Sequence, residues 1–278
     1  MPIFQPNVPT LKQKRDIAGL IKLLKSRDAH TRRAAIQALG EIGAKPSTAT
    51  LCELLSSTGT DRAEQVDLAN ALGAIGDPGA VGALLQAVVI SRDRERALLA
   101  DANSAADHMR VGFAVNVISG NEYELRHAIA QALGKIGGEP ALRGLFGMLA
   151  DESGPMEDSG KTAARAAIAE TLERDQPVYL QVLFDQSAAE SVECRQYAAE
   201  RLREFPDSAV VDHLIAIACN ENEAYIVRQS AIASLGIIGD LRALPCLTEL
   251  SQSPNRALAR DARFNAAEVR QRQRPELD

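Results

Sequence analysis

The sequence predicts an all-α protein, a right-handed α-solenoid (α-α superhelix) of about seven helix pairs. Three observations carry that prediction. A six-residue phrase recurs as Ala38-Leu-Gly-Glu-Ile-Gly43, Ala71-Leu-Gly-Ala-Ile-Gly76, Ala132-Leu-Gly-Lys-Ile-Gly137 and Ser234-Leu-Gly-Ile-Ile-Gly239. With its leucine as anchor, Leu39, Leu72, Leu133 and Leu235 stand 33, 61 and 102 residues apart. Degenerate copies at Leu172 and Leu202 divide the last gap into 39, 30 and 33, and a seventh copy near Ala267 lacks leucine and glycines. A period of about 30 residues over seven anchors marks a stacked-repeat protein. Composition agrees: of 278 residues 46% are apolar but only 4% aromatic, without tryptophan, so small aliphatic side chains must pack closely spaced helices.

Taken in order, the units fall at about 12–43, 44–76, 77–137, 138–174, 175–205, 206–239 and 240–272, within one repeat domain spanning 1–278. Each unit reads as two helices. The first carries apolar spacings such as Leu20, Leu23 and Leu24, or Leu84, Leu85 and Val88; the second carries Ala35, Ile36, Leu39 and Ile42. These 3–4 spacings place one apolar stripe against the neighbouring helix. Glycine after the anchor leucine admits close approach of the next helix, and the glycine three residues further ends the helix in a left-handed cap. Asp77, Asp207 and Asp240 stand where the following helix needs an N-cap. The last unit ends in a polar cap with Arg270, Arg272 and Arg274.

One unit is longer than the rest. The third holds an insertion at 92–121, where Arg92-Asp-Arg-Glu-Arg96 extends the first helix and the second begins near Glu122. The stretch between shows no repeat pattern, only a weak alternation from Val111 to Ile118. It reads as a long connection that folds back over the stack edge or docks on another molecule through Phe113, Val115, Val117 and Ile118. A second, polar insertion at 151–160 reads as a surface loop.

Two-helix units of about this length, ending in A-L-G-x-I-G with a V/L-R pair early in the second helix, resemble HEAT-like repeats of the phycobilisome-lyase type. The resemblance covers roughly residues 12 to 272, although the fourth and fifth units lose the Gly-x-x-Gly ending. It implies the solenoid fold. It also implies one function beside a plain scaffold: a bilin lyase-type subunit acting on a phycobiliprotein, in a family that works as pairs of such subunits. No residue here matches a bilin-handling motif, and no cofactor is expected.

Elsewhere the composition excludes. No run of about 18 apolar residues could span a membrane, and the N-terminus lacks a basic-then-apolar leader, so the cytoplasm is the expected compartment. Cys52, Cys194, Cys219 and Cys246 form no CxxC pair and read as small buried hydrophobes. His30, His108, His127 and His213 make no metal motif, and no phosphate loop or nucleophile elbow is present. The formal net charge is −6; residues 1–50 carry +6, leaving −12 for the remainder. That balance suits a protein partner of mixed charge, in a homo- or heterodimer, better than a nucleic acid.

Two rows run along the second helices. Arg32, Arg126, Arg165, Arg195 and Arg228 stand seven residues before their anchors, with Arg260 matching in the last unit and Gln65 replacing arginine in the second. They read as bridges locking adjacent units, with an anion track as the alternative. The other row, on the face opposite the apolar stripe, is the candidate partner-binding groove: Arg33, Gln37, Asn70, His127, Gln131, Glu170, Gln196, Glu200 and Gln229. The expected function is therefore a non-catalytic protein-binding scaffold or adaptor using the concave wall of second helices.

Overall fold

The structure is a computed structural model that describes residues 7–57, 59–104, 108–150, 157–174 and 176–273. Side chains are described throughout these except at 98, 99, 101–119, 121, 157–160, 173, 174 and 176–179. No strand occurs among the described residues. The chain divides into two compact units, Met1–Arg174 and Asp175–Asp278.

In the first unit a short helix α1 (Val8–Gln13) precedes four pairs: α2 (Ile17–Leu23) with α3 (Ala29–Glu41), α4 (Thr48–Leu55) with α5 (Arg62–Ile75), α6 (Val81–Ser104) with α7 (His108–Ile136), and α8 (Gly138–Leu149) with α9 (Glu157–Arg174). The second unit holds three: α10 (Gln176–Ser187) with α11 (Val192–Arg201), α12 (Ser208–Cys219) with α13 (Tyr225–Ile238), and α14 (Leu244–Leu250) with α15 (Arg256–Arg272). Among the described residues seven pairs form the repeats.

The recurring phrase does two jobs. Its leucine is core: Leu39, Leu72, Leu133, Leu172, Leu202 and Leu235 are all fully buried. Its first glycine removes the bulk that would hold second helices apart. A Cβ on Gly40 would lie 2.8 Å from the Ala71 Cα, and one on Gly73 2.7 Å from the Ala132 Cα. The second helices therefore form the tightly spaced layer of the first unit. The second glycine adopts positive φ at Gly43, Gly76, Gly137 and Gly239, closing each helix. The side chains of Asp77, Asp207 and Asp240 then accept hydrogen bonds from the backbone N–H groups of Gly79, Val210 and Arg242.

The arginine row is architectural. Arg32 donates to Glu64 of the following second helix at 2.7–3.2 Å and to the carbonyls of Ser26 and Arg27. Arg195 repeats this with Glu223 and the carbonyls of Ala189 and Glu190. Arg228 reaches the carbonyl of Ala218, and Gln65 does the same work toward Leu55. Arg126 turns instead to Glu95 at 2.7 Å. Beside it Arg62 binds Glu122, which also accepts from Ser91. Arg260 departs from the row, pairing only with its neighbour Asp261, while Arg263 reaches back to the carbonyl of Ser251.

Three expectations are corrected. The insertion at 92–121 is not an irregular connection. It lengthens both helices of the third pair, giving α6 24 residues and α7 29. No proline interrupts it, and a helix running past its neighbours needs no repeat pattern. The side chains of Phe113, Val115, Val117 and Ile118 lie outside the described ones. Cys219 and Cys246 are paired as a disulfide between α12 and α14, with Cα atoms 6.7 Å apart, because stacking sets first helices of consecutive pairs side by side. The last register is also shifted. Gly236 faces Asn265 as Gly40 faces Ala71, so the seventh anchor is Ala266 rather than Ala267.

Candidate functional site

The second helices of each unit present one face away from the core, and the predicted row lies on it. In the first unit Gln37, Asn70, Gln131 and Glu170 are exposed, while Arg33 and His127 are half-buried. Glu170 sits about one turn from its expected height, because Gly134 packs on Ala167 rather than on Thr171.

Much of the polar character of this row is used within the stack. Arg33 and Gln37 both donate to Asp67, from the next second helix. That carboxylate raises the Arg33 pKa, chiefly through the hydrogen bond between them. Gln131 and His127 bond each other one turn apart at 3.1 Å, and Tyr123 meets the His127 ring edge-on. In the second unit Gln229 donates to Asp261 at 2.8 Å, and the Tyr225 hydroxyl lies 3.5 Å from the same oxygen. Asp67 and Asp261 hold the same register, five residues before Leu72 and Ala266. At these two junctions one aspartate collects the polar groups of the preceding helix.

A concavity of about 370 Å³ opens on this face between α13 and α15, lined by Gln229, Ala233, Arg260, Asp261, Phe264 and Asn265. Of its lining residues Phe264 is apolar and 65% exposed; Ile237, 43% exposed, and Tyr225 and Ile226 are exposed elsewhere on α13. Gln196 and Glu200 do not line it. They sit on α11, where Arg201 pairs with Glu204 at 2.9 Å, lies 3.9 Å from Glu200, and stacks over Tyr197. Phe264 escaped the sequence reading because the seventh anchor was set one residue late; with Ala266 as anchor it falls on the exposed row.

A larger open depression of about 790 Å³ lies at the N-terminal edge, where Val8, Pro9, Lys22, Lys25 and Ala34 converge. It takes in His30 but none of the residues of the predicted row. Among the described residues no group of three or more His, Cys, Asp or Glu side chains could hold a metal. Nor is any helix among the described residues long and apolar enough to cross a membrane.

Stacked two-helix units whose second helices carry a partly apolar, solvent-facing row define a helical-repeat protein. The chain belongs to the HEAT repeats family, whose profile matches residues 17–102 and 180–267. Among solved structures, human deoxyhypusine hydroxylase in complex with glycerol is similar over 95% of this chain and 88% of that one, at 19% identity and a TM-score of 0.37. The complex of CpcE and CpcF of phycocyanin lyase from Nostoc sp. PCC7120 is similar over 92% of both chains, at 16% identity and a TM-score of 0.39. An engineered protein is similar over 92% of this chain and 97% of that one, at 20% identity and a TM-score of 0.31. No curated protein matches.

Proposed function

We propose that the chain is a protein-binding scaffold or adaptor whose second-helix face receives segments of a partner. The observation that carries this reading is the α13–α15 concavity, lined by exposed Phe264 with exposed Ile237 on the same helix pair, on the face that helical-repeat proteins use for binding. Exposed aromatic and aliphatic side chains around a depression are the residues from which binding hot spots are built. The polar row on the first unit supplies adaptable hydrogen-bonding groups at Gln37, Asn70 and Gln131.

The test is capture of a partner by the full chain carrying Ala at Gln37, Asn70, Gln131 and Glu200 together, and separately by Phe264→Ser. Each variant is first checked for unchanged helical circular dichroism. Loss of the partner from at least one folded variant is the expected result. Full retention by both would remove the second-helix face from consideration.

A further inference from the structure

Resting on that reading, we infer that the α13–α15 face takes an acidic amphipathic segment, with apolar side chains over Phe264 and Ile237 and carboxylates on the arginines of α15. Charge on α15 is unmatched. Helix α15 carries Arg256, Arg260, Arg263, Arg270 and Arg272 against Asp261 and Glu268, a net of +3, whereas residues 175–255 carry −7. All five arginines are exposed. Arg256, Arg260, Arg263 and Arg270, at steps of four, three and seven, share one stripe of the helix, and Phe264 borders it.

Earlier in the stack such arginines meet carboxylates: Arg32 has Glu64, Arg126 has Glu95 and Arg195 has Glu223. On α15 the partners are neutral or already engaged. Arg263 meets the carbonyl of Ser251, Arg270 the hydroxyl of Thr248, and Arg272 the carbonyl of Ile237. Arg256 has no partner among the described residues. Arg260, with its side chain 74% exposed, shares Asp261 with Gln229 and Tyr225. Among the described residues the one carboxylate paired with these arginines is that of Asp261, so an acidic occupant would supply the rest.

Apolar anchors set the spacing of that occupant. Phe264 borders the concavity from α15, and Ile226, Ala233 and Ile237 share the facing side of α13. A segment with aliphatic or aromatic residues on one side and Asp or Glu on the other satisfies both. A nucleic acid fits less well: the −7 of the adjoining pairs repels a polyanion, while a few carboxylates interspersed with apolar side chains are tolerated.

The experiment selects a displayed library of random 16-residue peptides on the full chain. Enriched sequences are then made synthetically, labelled and titrated by fluorescence anisotropy at low and high salt. The expected peptides are acidic with apolar anchors. Phe264→Ser should weaken them about thirtyfold, as for a hot-spot aromatic. Arg260→Gln with Arg263→Gln should weaken them at low salt and flatten the salt dependence. Ile237→Ser serves as a second apolar probe, and replacing Gln37, Asn70 and Gln131 by Ala should change nothing. Basic or uncharged peptides, or acidic ones indifferent to Phe264 and the arginines, overturn the inference. Peptides lost only with the Gln37, Asn70 and Gln131 variant overturn it while leaving the wider docking face standing. No enrichment at all removes both. A 20-nucleotide single strand that binds in an Arg260-dependent manner would replace the acidic peptide with a nucleic acid.

Discussion

Arg195 shows what a single side chain contributes to the stack. Its guanidinium bonds two carbonyls at the end of one turn and the Glu223 carboxylate before the next second helix. Arg195→Ala strands that carboxylate and two carbonyls in a partly buried site. A loss of about 2 kcal/mol is expected, below the full cost of breaking a buried pair because the site is partly wet; equilibrium urea unfolding reads it. His213 is a different case. Its Nε2 lies 2.6 Å from the Ser187 hydroxyl, its ring packs edge-on against Phe184, and burial pushes its pKa below 6.5. The folded form thus stays neutral where the unfolded chain takes up a proton. Stability should be full above about pH 6.5 and fall as the pH drops below it, until the folded pKa is passed. In thermal melts between pH 5 and 7.5, His213→Gln should flatten that slope; an unchanged slope would assign it to other groups.

At the scale of the element, paired glycine substitutions separate packing from propensity. Gly73 faces the backbone of Ala132, so Gly73→Ala must push α5 from α7 at a cost of about 1–3 kcal/mol. Gly82 on α6 has open space around its Cβ position, so Gly82→Ala should stabilise by about 0.5 kcal/mol through helix propensity alone. Melts moving in opposite directions would bear this out; a stabilised Gly73→Ala would contradict the close approach. The same elements explain what was readable from residues. Glycines at Gly43, Gly76, Gly137 and Gly239 were legible because only a left-handed helix end needs them there. The Asp77, Asp207 and Asp240 caps were legible because their chemistry is local. The long third pair was not, since its added residues carry no repeat phrase to mark them as helix. Phe264 was hidden by a one-residue ambiguity between Ala266 and Ala267, which no local signal resolves. The Cys219–Cys246 pairing depends on stacking register, which spacing along the chain does not display.

For the whole molecule, the division after Arg174 falls between the fourth and fifth pairs. Repeat proteins hold together through neighbouring units, so each part carries most of its own stabilising contacts. A chain ending at residue 174 should keep its helical signal and unfold in its own cooperative transition by circular dichroism. A non-cooperative melt would show that the first four pairs require the last three. The candidate site in the second part should likewise keep its peptide selectivity in a chain of residues 175–278.

The third pair also has a mechanical character. Beyond the ion pairs Arg126–Glu95 and Arg62–Glu122, α6 runs nine more residues and α7 starts fourteen earlier. At helical rise those turns run about 14–21 Å along the two helices. Where they begin, two ion pairs with buried carboxylates clasp α6 to α7, and parting charged groups closed off from water is opposed more steeply than sliding aliphatic side chains past one another.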